Sequence, residues 1–313
     1  MAAPVGSHCP LCHVAMREKF RGIAAEETGE TFQVDECPQC GLGQTRPVPA
    51  DLTPYYDAGY YGKRHGPTGR ICNRRRLGFV RHWAGPGMGR SLLDFGCGEG
   101  DFLRAARTQG WNGCGVERSR AASEPGDLTV VASLDELGDR TRFDCATFWH
   151  VLEHLNDPVG TLDALRDHLE PDGLVLAAVP NFGSWQAQVT GASWLPLDIP
   201  RHLFHFTAHA IVKLFAASGF QVDHIAYGEW EYDVIGWSQS LLNRGLGGRN
   251  EFFKIVSGRP NSGSLPRKAF QVVAGLGISL LTAGPAWGES RLGRGGTLIA
   301  VARPVKTWAS GHA

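Results

Sequence analysis

The sequence predicts an α/β protein with a parallel sheet at its centre and a small metal-binding module in front of it. Two observations predict this architecture. Between residues 91 and 180, short apolar runs alternate with amphipathic segments, as in βαβ units. Before that region, four of the eight cysteines are crowded together near the amino end. The 313 residues exceed what one hydrophobic core usually fills, so we expect one large domain with smaller parts.

The composition is that of an ordinary globular protein. Apolar residues make up 42% and charged residues 20%, which excludes a disordered chain or a coiled coil. The 31 basic and 31 acidic residues give a formal net charge of zero, so a nucleic-acid partner is not favoured. No export signal is visible, and we therefore expect the reducing cytoplasm. Clustered cysteines there indicate a metal rather than disulfides.

The first element is a zinc ribbon over residues 1–50. Its ligands form two Cys-x-x-Cys pairs, a set that suits tetrahedral zinc: Cys9, Cys12, Cys37 and Cys40. Residues 31–34 between the pairs alternate as a short strand does. We predict a structural zinc that replaces the core that so short a module lacks. Contact with substrate or nucleic acid is the less favoured role, because basic and aromatic residues do not interleave in the module.

Residues 51–89 predict a linker and a helical lid. The basic run at residues 74–76 is most often a solvated helix face, although it could also contact phosphates.

The parallel sheet follows from residue 90. Five strands are predicted, at residues 91–95, 113–117, 128–131, 144–148 and 174–179. The last run is apolar throughout, as a strand covered on both faces should be. A helix is predicted before it, with Asp157 and Pro158 at its start.

A glycine-rich turn between the first strand and a helix is the strongest sign of a ligand. The turn runs from Asp94 to Gly100, and its glycines let backbone amides approach a ligand at the start of a helix. Glu117 ends the next strand and is placed to accept hydrogen bonds from both ribose hydroxyls. The order Gly-x-Gly-x-Gly differs from the Gly-x-Gly-x-x-Gly of dinucleotide sites. We infer a nucleoside-containing cofactor.

This turn resembles motif I of the class I S-adenosylmethionine-dependent methyltransferases. The likeness covers about residues 90–227, and its Leu-Glu-His signature at residues 152–154 is similar to the branch that contains the ubiquinone-type O-methyltransferases. The other matching segments are residues 115–117, 143–144, 150–155, 171–173 and 180–181. The resemblance implies S-adenosylmethionine as cofactor. The predicted cofactor-binding residues are Asp94, Gly96, Cys97, Gly98, Gly100, Glu117, Arg118 and His150.

The resemblance also implies a Rossmann-like sheet of seven strands, the last two forming an antiparallel hairpin. Residues 220–227 and 297–302 suit these two strands. Residues 228–295 between them are too long for a hairpin loop, and we predict a helical insert there. The methyltransferase domain would then extend over residues 90–313.

Four histidines border the crevice at the carboxyl ends of the strands, where chemistry is expected: His150, His154, His202 and His205. Three roles compete. The histidines fix loops by hydrogen bonds, or one of them is the general base, or a divalent metal is held by Glu153, His154 and a later histidine. Certain relatives bind such a metal through Glu-x-x-Glu-His. Here His150 replaces the first glutamate, which makes magnesium less favoured.

Two apolar regions remain. Residues 181–199 predict a wall of the substrate site, formed by Phe182, Trp185, Trp194 and Leu195. Residues 269–287 carry no charge and are long enough to consider a membrane span. We reject a span because glycines and Pro285 should break the helix, and we favour a buried helix over a contact with the membrane surface.

These inferences predict a methyltransferase that acts on a small-molecule, sugar or lipid-linked acceptor, more readily at oxygen than at carbon, with a histidine base. The alternatives are an RNA methyltransferase that holds RNA with the ribbon, and a C-methyltransferase of a nucleotide sugar. The sequence does not fix the oligomeric state.

Overall fold

The computed structural model describes residues 8–56, 67–118, 128–246, 250–261 and 263–305. Part of the predicted linker and lid, residues 57–66, therefore lies outside the described residues. The strands are β1 Arg17–Ala24, β2 Thr31–Glu36, β3 Gly43–Arg46, β4 Ser91–Phe95, β5 Asn112–Val116, β6 Thr129–Val131, β7 Phe143–Trp149, β8 Leu169–Pro180, β9 Phe204–His205, β10 Phe220–Tyr227 and β11 Thr297–Pro304. The helices are α1 Pro67–Ala84, α2 Asp101–Arg107, α3 Pro158–Arg166, α4 Trp185–Thr190, α5 Ala208–Ala217, α6 Trp230–Leu246, α7 Glu251–Val256 and α8 Leu265–Arg291.

The larger sheet has seven strands in the order β10-β11-β8-β7-β4-β5-β6. Strands β4 to β8 pair in parallel, whereas β11 runs antiparallel to both β8 and β10. The long connection from β10 to β11 contains helices α6, α7 and α8. The predicted α/β fold, with its seven-stranded sheet and a helical insert before the last strand, is confirmed.

Local sequence explains where the flanking helices begin. The Asp157 carboxylate accepts a hydrogen bond from the Gly160 backbone N–H at 2.9 Å, and Pro158 occupies the first helical position of α3. The Thr207 hydroxyl accepts one from Ala210 at 3.1 Å at the start of α5. Both caps satisfy backbone donors that the first turn of a helix leaves free.

The smaller sheet has the order β1-β2-β3-β9, with antiparallel pairing throughout. Three of its strands belong to the amino-terminal module. The fourth, β9, comes from the large domain, and its His205 pairs with Gly43. Sequence analysis missed this strand because it is only two residues long.

Two of the aromatic residues predicted to form a substrate wall belong to the interior packing. Phe182 and Trp194 are each 3% exposed, and they pack in one cluster with Phe32, Val34 and Tyr55 from the amino-terminal part of the chain. For these two residues the prediction was wrong, because their side chains cover the ribbon instead of lining a crevice. Trp185 is 42% exposed, and its place in a substrate wall stays a prediction.

Two of the predictions for residues 269–287 were wrong, that the helix is broken and that it is buried. Helix α8 continues through Gly275, Gly284 and Pro285 for 27 residues, and by length and composition it could cross a membrane. We expected it to be buried, yet only 17% of its most apolar window is covered by the rest of the described protein. Packing against neighbouring helices on one side is sufficient to keep it helical.

Candidate functional site

Three glycines form the turn that follows β4. Gly96, Gly98 and Gly100 have φ angles of 72°, 52° and 80°, a left-handed backbone that favours glycine. A β-carbon on Gly96 would lie 2.5 Å from a methyl group of Val151, whereas one on Gly98 would meet no atom within 4 Å. Packing therefore demands glycine at residue 96, and the open space at residue 98 lets a ligand approach the backbone.

Glu117 lies beside this turn, as predicted. Its Oε2 accepts a hydrogen bond from the Gly98 N–H at 3.1 Å, which fixes the acid at the carboxyl edge of the sheet. Arg118 follows it and is exposed. Cys97 is buried, and its Sγ lies over Gly115 of the next strand. Burial raises the pKa of the Cys97 thiol to about 12, so it packs as a neutral side chain.

Asp94 is a buried carboxylate next to the turn. It is 4% exposed and accepts a hydrogen bond from the Thr147 hydroxyl at 2.7 Å. Burial raises its pKa to about 7, although the Thr147 hydrogen bond and the charge of Arg76 both act to lower it. Near neutral pH, Asp94 is therefore partly protonated in the free protein, and a cationic ligand would favour its ionised form.

Replacement of Asp94 by asparagine should stabilise the free protein and weaken binding of a cationic cofactor. The folded-state pKa lies above the ordinary value, so ionisation costs stability as the pH rises from about 4 to 7. We expect the free energy of unfolding in urea to be higher at pH 8, by up to a few kcal/mol, and to change little near pH 4. Affinity for S-adenosylmethionine at pH 8 should fall at least about tenfold.

Asp144 provides the matched control. It lies at the opposite edge of the sheet, where it accepts a hydrogen bond from Ser91 N–H at 2.8 Å and pairs with Arg90 at 3.1 Å. Its pKa is lowered, since these partners outweigh burial. Asp144→Asn should therefore lower the urea midpoint at pH 8, and equal signs for the two variants would contradict our account.

His150 lies between two buried carboxylates. Its Nε2 is 2.6 Å from Oε2 of Glu229, and its Nδ1 is 3.5 Å from Oε1 of Glu153. Burial would lower the pKa of His150, but the two carboxylates outweigh it and raise the pKa to about 9. A histidine that is already protonated at neutral pH is poorly suited to accept a proton, so this geometry opposes the predicted role of His150 as the base.

Glu229 is a site residue that sequence analysis missed. Its side chain is fully buried, and it pairs with Arg75 and Arg76 of α1 as well as with His150. Burial would raise its pKa, but Arg76 and His150 hold it well below its usual range. The basic run was predicted to be a solvated helix face, which is wrong for Arg75 and Arg76, whereas Arg74 is exposed. No periodic pattern marks Glu229, which lies just after β10.

Glu153, His154 and His202 form a second cluster. One ligand atom of each lies within 4.8 Å of the others. His154 Nδ1 is 3.0 Å from the carbonyl of Arg201, and His202 Nδ1 is 2.7 Å from that of Pro196. A carbonyl oxygen only accepts, so in each neutral ring Nδ1 carries the proton and Nε2 keeps its lone pair.

This cluster lies largely in the interior of the protein. Burial, together with His202, lowers the pKa of His154 to about 4, so the ring is neutral at pH 7. Glu153 is 1% exposed, and within the described residues neither of its oxygens accepts a hydrogen bond. Burial would raise its pKa, but His150 and the neighbouring histidines lower it. Such a group of lone pairs could take a proton or hold a divalent cation.

His205 is bound to the ribbon instead. The Thr45 hydroxyl donates to the His202 carbonyl at 2.6 Å and lies 3.0 Å from His205 Nε2. The hydroxyl of Thr45 has only one proton, which it donates to the His202 carbonyl, so Nε2 of His205 must donate to the Thr45 oxygen. Burial lowers the pKa of His205 to about 3. This geometry favours the loop-fixing role among those considered for His205.

The four ribbon cysteines meet as predicted. Their sulfur atoms lie within 4.8 Å of one another, and Cys9, Cys37 and Cys40 are buried. The two turns match: the amide of His13 donates to the Cys9 carbonyl at 2.8 Å, and that of Gly41 donates to the Cys37 carbonyl at 2.9 Å. The donor set fits a structural zinc.

Comparison with known proteins agrees with the geometry. A family model described as a methyltransferase domain matches residues 72–225. The ubiquinone biosynthesis O-methyltransferase of Cereibacter sphaeroides is 26% identical over 178 residues, which are 51% of this chain and 71% of the relative. That of Alkalilimnicola ehrlichii is 29% identical over 143 residues, 41% of this chain and 58% of the relative.

Solved structures are also similar in part. A SAM-dependent methyltransferase from Archaeoglobus fulgidus has a TM-score of 0.45 at 18% identity and covers 74% of this chain and 93% of its own. The family match and the two O-methyltransferases above, together with the glycine turn and the order of the seven strands, lead to one conclusion. The chain contains a class I S-adenosylmethionine-dependent methyltransferase domain, with S-adenosylmethionine as its cofactor.

Proposed function

We propose that the protein transfers the methyl group of S-adenosylmethionine to a hydroxyl oxygen of a small-molecule or lipid-linked acceptor. The observation that carries this proposal is the pair His154 and His202 beside the buried Glu153 carboxylate, with each Nδ1 turned to a backbone carbonyl. The names of the two relatives above, both O-methyltransferases of ubiquinone biosynthesis, support oxygen as the methylated atom and a lipid-like acceptor. A sugar hydroxyl would require the same chemistry.

The proposed reaction needs little from the protein beyond position and one proton acceptor. When bound, S-adenosylmethionine supplies an electrophilic methyl group. The acceptor oxygen would take up this methyl group, leaving the sulfur with the bonding electrons, and the proton of the acceptor would pass to Nε2 of His154 or His202. The Glu153 carboxylate stabilises the imidazolium that forms. His150 remains protonated and holds Glu153 and Glu229 in place.

The test separates cofactor binding from transfer. We expect Glu117→Ala to weaken S-adenosylmethionine binding in calorimetry, because the variant lacks the ribose acceptor. His154→Gln and His202→Gln should keep that affinity while kcat falls about a hundredfold or more. Transfer is measured with labelled methyl groups offered to lipid, sugar-nucleotide, RNA and protein fractions.

Three outcomes would contradict the proposal. Failure of the wild type to bind S-adenosylmethionine would exclude the activity, and label in RNA alone would exclude the acceptor class. Loss of activity on chelation, with the ribbon metal retained and activity restored by a divalent cation, would replace the histidine base by a metal at Glu153, His154 and His202.

A further inference from the structure

The outer face of α8 is an apolar stripe in contact with solvent. Val273, Leu276, Leu280 and Trp287 recur at helical spacing and are 72, 54, 82 and 57% exposed. No charged residue occurs in the sequence between Lys268 and Glu289. Single exposed apolar residues are ordinary, but a continuous face of this length on one helix indicates a binding surface.

The opposite face of α8 is anchored to the protein. Gln271 and Glu289 are buried, and the Ser279 hydroxyl is 2.8 Å from that of Ser238 on α6. Gly275 lies against the ring of Phe252, where a β-carbon would come within 2.4 Å. A helix that left this position to cross a bilayer would carry Gln271 and Glu289 into hydrocarbon, which is costly. The helix therefore fits a surface that it can lie along rather than cross.

The exposed charges carried by α8 and the residues after it are basic, and one of them, Arg267, is paired with Glu251 of α7 at 2.7 Å. Residues 265–294 contain four basic side chains, those of Arg267, Lys268, Arg291 and Arg294, and one acid, Glu289, which is buried. Arg291 and Arg294 are exposed at the carboxyl end, and the Arg291 guanidinium lies 4.9 Å from the ring of Trp287. An apolar helix face flanked by arginine and tryptophan is complementary to an anionic bilayer surface, where tryptophan prefers the interface.

The stripe leads to the candidate site. Trp230 at the start of α6 is 53% exposed, and its Nε1 donates to the Ala283 carbonyl of α8 at 3.2 Å. One turn of α6 also carries Tyr232, whose ring is 5.3 Å from that of His150. The first turn of α6 thus contacts both the apolar face of α8 and His150 of the candidate site.

We propose that α8 lies in the plane of an anionic lipid bilayer, with Val273, Leu276, Leu280 and Trp287 inserted among the acyl chains. A lipid-linked acceptor would then reach the site without leaving the membrane, and this last step rests on the function proposed above. Binding of α8 to the bilayer does not depend on that function. The helix is about 40 Å long, so its contact extends well beyond a single lipid headgroup.

The test uses the full chain and sedimentation with vesicles of phosphatidylcholine, alone or mixed equally with phosphatidylglycerol. We expect the wild type to sediment with the mixed vesicles and to be released by salt. Leu280→Glu should reduce the partition at least about tenfold. Met88→Glu is the matched control, because Met88 is 80% exposed at a distant turn and should bind as the wild type does.

The outcomes are distinct. Absence of sedimentation by the wild type, or an equal loss in both variants, would overturn the proposal. A dimer in light scattering that Leu280→Glu dissociates would show that a second copy covers the stripe instead. S-adenosylmethionine binding in calorimetry should be the same in the wild type and Leu280→Glu, so failure of the membrane contact is separable from failure of the methyltransferase.

Discussion

Serine at both Cys37 and Cys40 should abolish methyl transfer while S-adenosylmethionine binding persists. The zinc module does more than stabilise itself, because β3 of the ribbon pairs with β9 and thereby holds His202 and His205. Structural zinc is worth about 10–16 kcal/mol in isolated fingers, so its loss should unfold the ribbon. The glycine turn and Glu117 belong to the other sheet and should remain able to bind cofactor.

The measurements are metal content, calorimetry with S-adenosylmethionine, and transfer of labelled methyl groups. Near one equivalent of zinc is expected in the wild type and none in the double variant. Should the double variant fail to fold, Thr45→Val tests the same contact with the zinc in place: transfer should fall, and Thr45→Ser should restore it. A metal-free variant with the full transfer rate would contradict the role we assign to the ribbon.

Replacement of Glu229 by glutamine should be among the most destabilising single changes in the protein. It removes a buried anion that pairs with Arg76 and His150, and these cations, whose side chains are only 12% and 23% exposed, would lose their partner. We expect the free energy of unfolding at pH 7 to fall by about 3–5 kcal/mol. The His150 pKa is raised from 6.5 to about 9, so the stability from its charge is complete below pH 6.5 and is lost as the pH rises through 9.

The difference between wild type and Glu229→Gln in urea unfolding should therefore be smaller at pH 10 than at pH 7. Glu231→Gln is the control. Glu231 is an adjacent carboxylate that pairs with Arg75 at 2.5 Å but keeps 21% of its side chain in solvent. A partly exposed ion pair contributes about 1 kcal/mol or less. Equal losses in the two variants would show that burial of Glu229 does not set the effect.

The sheet and the cofactor site were predictable because their signals are local. Apolar runs such as residues 174–179 are long and uninterrupted, and all six residues are buried in β8. The glycine turn is determined by backbone angles that few other residues adopt, so Gly96, Gly98 and Gly100 identify it from sequence alone. The cysteine pairs are equally self-contained, since each pair is set by one tight turn.

The remaining features depend on contacts between distant segments. Glu229 is an ordinary glutamate in the sequence, and only the fold brings His150 and two arginines to it. The choice among histidines likewise rests on neighbours that no motif contains, such as Thr45 beside His205. Helix α8 was misjudged for a related reason: its composition equally suits a buried core helix, and only the absence of cover in the described structure separates the two.

The two-residue strand β9 has a consequence for how the chain folds as it is made. The ribbon contains every cysteine ligand within its first 40 residues, so it can bind metal early in synthesis. Its sheet nevertheless stays one strand short until His205 has been translated, because Thr45 and His205 are separated by 160 positions. Until then, the backbone groups of β3 that later pair with β9 have no partner strand, and they could pair with the edge strand of another chain. A ribbon expressed alone should therefore be more prone to aggregate than the whole protein.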